Sequence, residues 1–169
     1  MNTLDIILKR RSIRKFKDDE ISDLIINKLL ISAMAAPSAC NKRPWEFYVI
    51  KNSQLLNELK MSSRFSNMNS KLIIIVAGNT KNSLTLESND FWIQDCSSAT
   101  TNILNVATEL GLGSCWCGLY PFKAAVNRVR KILNLEDNII PMALIHLGYP
   151  MEEKEARTQY EEEKVHFYE

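Results

Sequence analysis

The chain has 169 residues, 46% of them apolar and 24% charged, and its 21 Lys plus Arg against 20 Asp plus Glu leave a net charge of +1. That length suits one domain, the composition excludes a disordered, collagenous or coiled-coil chain, and the charge balance excludes a whole-molecule attraction to nucleic acid or anionic lipid. The longest apolar run, Leu72 to Ala77, falls far short of the ~20 residues that span a bilayer, and the polar and basic start lacks the apolar core of a signal peptide. A cytoplasmic protein with no membrane partner is expected.

Leu4, Ile7 and Leu8 recur at helical spacing and predict a short helix. It runs into the segment Lys9 to Lys17, where six of nine residues are basic and none is acidic. Ser22 reads as the N-cap of a second helix, whose apolar positions are Ile25, Ile26, Leu29, Leu30, Ala33 and Met34. Pro37 ends it, because the residue before a proline avoids the α region. Pro37 to Pro44 reads as a loop, and Trp45 to Ile50 as a strand with Trp45, Phe47 and Val49 on one face. Asn52 or Ser53 caps a short helix through Lys60. Met61 to Ser70 is polar and small, and Leu72 to Ala77 has the β-branched run of a strand buried on both faces.

Thr80 to Asn89 reads as a loop. The longest helix begins near Asn89 or Asp90 and carries Trp92, Cys96, Ala99, Ile103, Val106 and Leu110 on one stripe, with Gly111 as its C′ residue. Ser114 to Gly118 is a short strand, Phe122 to Leu133 an amphipathic helix, and Ile140 to Leu147 a strand stopped by Gly148-Tyr149-Pro150. This interleaving predicts one α/β or α+β layered domain over 1–150. Residues 151–169 are highly charged yet carry Val165, Phe167 and Tyr168, so they are expected to form an arm docked on a partner subunit.

The residues that carry chemistry are few. Cys40, Cys96, Cys115 and Cys117 form no C-x-x-C pair and read as small buried hydrophobes. His146 and His166 are far apart, and no metal-ligand spacing exists. Arg10-Arg11-Ser12-Ile13-Arg14-Lys15-Phe16 can wrap a phosphate, because a guanidinium donates in a planar fork matched to its oxygens. Pro37-Ser38-Ala39-Cys40-Asn41-Lys42-Arg43-Pro44-Trp45 offers backbone donors and an Asn amide to the edge of a planar heterocycle. There is no phosphate loop, no dinucleotide fingerprint and no nucleophile elbow. A chain without an evident acid, base or nucleophile points to a bound cofactor that carries the chemistry, here a phosphorylated heterocycle. A nucleic-acid module built on Lys9 to Lys17 is disfavoured by the balanced charge and the lack of interleaved aromatics.

Taken together, these residues resemble the nitroreductase family of FMN-dependent oxidoreductases. The resemblance rests on an ordered set: Arg10 to Phe16; Ala36-Pro37-Ser38-Ala39-Cys40-Asn41 with Pro44-Trp45; Leu110-Gly111-Leu112-Gly113-Ser114; and Leu147-Gly148-Tyr149-Pro150 with Arg157. It implies an α+β fold, a central, mostly antiparallel sheet flanked by helices, and an intertwined homodimer with FMN at its interface. Arg10, Arg11, Ser12 and Arg14 would hold the phosphate, ribityl and pyrimidine side, and Arg157 would reach the phosphate. Pro37, Ser38, Ala39 and Asn41 would come from the partner subunit. Cys117 and Gly118 would lie near the ring N5, where a main-chain N–H stabilises the reduced ring.

The implied reaction has two steps and no catalytic side chain. NADH or NADPH gives hydride to N5 and leaves; a nitroaromatic, quinone or similar small acceptor is then reduced in the same cleft. The alternative is a flavin protein of the same fold with another role, either reductive dehalogenation, flavin consumption or flavin storage. Arg43 stands where many members carry Gln before Pro-Trp. The span Met61 to Asn89 leaves little room for the helices that cover the substrate in larger members, which implies a more open site with Asn67 or Asn69 near the ring.

Overall fold

In the computed structural model, which describes residues 2–86 and 90–169, helices α1 (Thr3–Lys9) and α2 (Asp23–Met34) precede strand β1 (Trp45–Ile50). Helix α3 (Ser53–Lys60), strand β2 (Leu72–Asn79), the long helix α4 (Phe91–Glu109) and strand β3 (Gly113–Gly118) follow. Helix α5 (Lys123–Leu133) and strand β4 (Ile139–Gly148) complete the regular structure, apart from short 3-10 turns at Ala39–Asn41 and Glu162–Lys164. The strands pair in the order β1-β2-β4-β3, and every ladder is antiparallel. This is the α+β architecture expected.

The pleat of β2 sorts the core into two layers. Ile74 and Val76 face α2 and α4, with Leu29, Ala33, Trp92, Cys96, Ala99 and Ile103. Ile73 and Ile75 face the other way, toward Leu56 and Leu59 of α3 and Val126 and Val129 of α5. Fully burying one such side chain contributes about 1.5–3 kcal/mol, so a strand covered on both faces is the anchor of the fold.

The local signals act as read. Ser22 Oγ accepts from Ile25 N and starts α2, and Asn52 does the same for α3. Gly111 follows the C-cap of α4 with φ +74°, a left-handed turn that glycine makes without a Cβ penalty. Asp90 is the N-cap position of α4; the other candidate, Asn89, and the end of the Thr80–Asn89 loop lie outside the described residues.

Candidate functional site

Two apolar residues fix the basic segment. Ile13 and Phe16 are buried in the α3–α5 layer, and each enters a slot that only glycine leaves open. A Cβ on Gly113 would lie 2.7 Å from Ile13 Cγ2, and one on Gly148 would lie 2.8 Å from Phe16 Cδ1. Backbone bonds complete the seat: Ile13 N–H donates to Ser114 O at 2.9 Å and Lys17 N–H to Tyr149 O at 2.8 Å. Asn69 grips Phe16 from both sides, accepting from its N–H at 3.1 Å and donating to its carbonyl at 2.7 Å.

The start of the C-terminal arm braces the same segment within the chain. Met151 N–H donates to Lys15 O at 2.9 Å, and Arg157 N–H to Leu8 O at 3.2 Å. Glu152 accepts from the backbone N–H of Arg14 at 2.5 Å and of Lys15 at 3.3 Å. Lys154 Nζ donates to Ser12 O at 2.6 Å. The Arg14 N–H holds the Glu152 carboxyl below the ordinary carboxylate range, burial opposes this, and the Lys154 charge adds to it. The Arg11 guanidinium donates to the Glu155 carbonyl.

This arrangement divides the arginines. Arg11 and Ile13 line a cleft of about 460 Å³ with Lys9, Gly113 and Lys154. Arg10, Ser12 and Arg14 do not line it, as the alternation of an extended chain requires. The Arg14 charge favours the thiolate forms of Cys115 and Cys117 on β3. Both thiols are free and buried. Cys117 Sγ points inward to the Phe65 carbonyl at 3.3 Å, and its hydrogen bonding with the neighbouring Cys115 thiol, together with burial, pushes its own thiol up. Cys117 therefore offers a ligand neither its sulfur nor its main chain, which faces Leu144 of β4; the outward donors are its neighbours.

β3 is an edge strand. Ser114 O points away from β4, toward Ile13, whereas Leu119 N–H turns back to Met142 O at 2.9 Å. By strand alternation Trp116 and Gly118 share the outward direction of Ser114, and among the described residues nothing pairs with that edge beyond Ser114. Backbone donors of an open edge thus continue beyond the point where Ser12 and Ile13 tie the basic segment to Ser114. The set suits a phosphate ester joined to a planar heterocycle with hydrogen-bonding edges, which is the chemistry of FMN.

The second predicted cluster lies elsewhere. Pro37 to Pro44 leads into β1, the opposite edge of the sheet, and Pro44 O accepts from Asn79 N–H at 2.7 Å. Three strand spacings of about 4.8 Å separate the two edges, and no hydrogen bond joins the clusters among the described residues. The structure therefore brings the segment of Arg10, Ser12 and Arg14 to the edge strand that holds Cys117 and Gly118, bonds Arg157 to Leu8 just before that segment, and puts Pro37, Ser38, Ala39 and Asn41 at the other edge. Cys40, Asn41 and Arg43 all take positive φ, at 49°, 53° and 50°. Asp95 of α4, 4% exposed, accepts from Ala39 N–H at 2.9 Å through Oδ1. Burial pushes its carboxyl above the ordinary value and the Ala39 N–H opposes this.

Three site-shaping residues escape a reading by motif. Glu152 and Lys154 lie in a charged tail, and nothing local marks their partners. Asp95 did carry a signal: it interrupts the apolar stripe between Trp92 and Ala99. Asn69 is spent on Phe16 through both ends of its amide, while Asn67 is exposed. Among the described residues no cluster of His, Cys, Asp and Glu could hold a metal ion, and no helix is long and apolar enough to cross a membrane.

Comparison with known proteins adds an independent line. The family model described as "Nitroreductase family" matches residues 7–71 and 67–149. A protein of Archaeoglobus fulgidus named "Putative NADH dehydrogenase/NAD(P)H nitroreductase" is 39% identical over 168 residues, covering 96% of this chain and 95% of its own. Among solved structures, an FMN-dependent nitroreductase from Clostridium difficile superposes with a TM-score of 0.89 at 32% identity, over 98% of this chain and 99% of its own. A relative from Desulfovibrio desulfuricans, solved in complex with FMN, superposes with a TM-score of 0.84 at 26% identity, over 100% of this chain and 98% of its own.

Proposed function

The chain belongs to the nitroreductase family, and from that premise we propose that it is an FMN-dependent NAD(P)H oxidoreductase whose flavin is held between two protomers. The observation that carries this reading is the unpaired edge of β3 beside a basic segment that Ile13 and Phe16 hold in place. Bound FMN supplies the redox chemistry, two electrons taken from NADH or NADPH and delivered to a nitroaromatic, quinone or similar acceptor.

The protein's own groups then have defined roles. Arg10, Ser12 and Arg157 neutralise and orient the phosphate and ribityl chain. Arg14 places a cation beside the ring, where negative charge grows on reduction. The outward N–H groups of β3 at Trp116 and Gly118 donate to the ring edge. Arg11 is committed to the arm and acts on the ligand only by its charge. No side chain of the site is required as an acid, base or nucleophile.

The partner contribution follows from the sheet order. The Pro37–Pro44 loop and the basic segment sit at opposite edges, so a second copy brings its own Pro37, Ser38, Ala39 and Asn41 to the flavin of the first. Exposed apolar residues support such a pairing. Leu24, Ile31 and Met34 lie along one side of α2, Leu4 and Ile7 along α1, and Ile31 is 69% exposed. Phe167 and Tyr168 of the arm are 85% and 95% exposed, which supports docking of residues 158–169 on the partner. Exposed apolar surface of this extent marks an interface more often than bare solvent contact.

The reading is tested on protein loaded with FMN, desalted and kept under nitrogen. The flavin absorption should bleach with NADH or NADPH and return on addition of a nitroaromatic or a quinone. A retained flavin that neither nucleotide bleaches would overturn it.

A further inference from the structure

We propose that Asp95 is a positioning residue for the flavin site, holding the Ser38–Arg43 turn in the shape in which one protomer offers it to the other; this rests on the reading of that turn as a flavin contact. Asp95 is out of place by packing alone. It sits on the buried face of α4 among Trp92, Cys96 and Ala99, where an apolar side chain would cost nothing to desolvate. Its Oδ2 is buried and has no hydrogen-bond partner among the described residues. A buried carboxylate satisfied at one oxygen only is costly, so its single bond calls for a reason.

The turn supplies that reason. Three non-glycine residues of Cys40 to Arg43 sit in the left-handed region, a conformation that persists only where the surroundings over-determine it. The turn's other bonds are internal: Asn41 N–H to Ser38 O at 2.9 Å, Lys42 N–H to Ala39 O at 3.0 Å, and Arg43 N–H to Ser38 Oγ at 2.9 Å. These fix its shape but not its place. Between Pro37 and Arg43, the bond from Ala39 N–H to Asp95 is the sole hydrogen bond to a residue outside the loop among those described. It lands on the first residue of the 3-10 turn, so one carboxylate on the rigid long helix sets the position of Ser38, Ala39 and Asn41 together.

The experiment compares wild type with Asp95→Ala and Asp95→Asn by hydrogen exchange at the Ala39 amide and by FMN titration. Asn keeps an oxygen acceptor at Oδ1 and nearly the same volume, so it separates the bond from the packing. Asp95→Ala should lose Ala39 protection and bind FMN about ten-fold or more weakly, the loss expected for a hydrogen bond to a charged group. Asp95→Asn should restore protection and keep FMN binding within a few-fold of wild type. The proposal is overturned if Ala39 stays protected in Asp95→Ala. It is equally overturned if protection is lost while FMN binds as in wild type, or if Asp95→Asn binds FMN as weakly as Asp95→Ala. A wild-type protein that binds no FMN would instead refute the flavin reading, and the Ala39 amide would still decide whether Asp95 holds the turn.

Discussion

Ile13 and Phe16 decide where the charges of the basic segment go. Sequence alone makes Arg10 to Phe16 legible as a basic segment that can wrap a phosphate, because a guanidinium donates in a planar fork matched to phosphate oxygens. It does not reveal the two glycines, far along the chain, that let the apolar members of the segment sink. Gly148→Ala puts a methyl group against Phe16, and overpacking of this kind costs about 1–3 kcal/mol. Thermal unfolding should show that loss, accompanied by weaker FMN binding as the segment shifts; unchanged values for both would mean the slot is not needed.

A second residue-scale consequence concerns His146. It is fully buried with its Nδ1 2.6 Å from Ser70 Oγ, and burial lowers its pKa to about 4, opposed by the backbone of Ser66 and aided by the Lys60 charge. The unfolded chain binds the imidazole proton near pH 6.5 and the folded chain only near pH 4. Stability is therefore full above pH 6.5 and falls as the pH drops toward 4, by ~3 kcal/mol in all. Denaturant titrations across that window should show the fall, and His146→Leu should flatten it whatever its stability at pH 8.

At the scale of elements, amphipathic periods and caps are enough to place α1 to α5 and β1 to β4, since α2, α4 and α5 each bury one face and β2 is apolar from Leu72 to Ala77; the short 3-10 turns are not legible. Pairing order is not legible. Local sequence cannot show that β4 returns between β2 and β3, nor that this leaves β3 open on its outer side. The arm shows the same limit. Its apolar end, Val165 to Tyr168, is the basis for proposing that it docks, but the bonds of residues 151–157 to their own basic segment depend on contacts distant in sequence. The two parts should separate by truncation. Removing residues 158–169 should weaken the dimer in sedimentation while leaving the braces of Met151 to Arg157 intact. Removing 151–169 should also release FMN, because Glu152 and Lys154 no longer hold the backbone of Ser12 to Lys15. A shorter truncation that sediments and binds FMN like the full chain would show that the end of the arm has no such role.

At the scale of the whole molecule, the proposed function makes the two clusters, at opposite edges of the sheet, two halves of a site. The sequence motifs suggest both halves, and the family resemblance gives them a common ligand; their places at opposite edges of the sheet are what make the proposal call for a second copy. Exposed apolar surface on α1, α2 and the arm is then the expected mark of a second copy. On the proposed reading the flavin site and the dimer are one property, and separating the protomers should open the cofactor site.

That claim is tested most directly by complementation between protomers. One copy carries Arg14→Glu, which opposes the flavin from the basic segment. The other carries Asn41→Asp, which opposes it from the loop and tolerates the positive φ found there. Each homodimer should lose FMN. A heterodimer, co-expressed with two tags and purified through both, pairs an intact basic segment with an intact loop at one of its two sites and should retain one FMN per dimer. A heterodimer that binds none, beside a wild-type dimer that binds two, would mean that each site is built within a single chain.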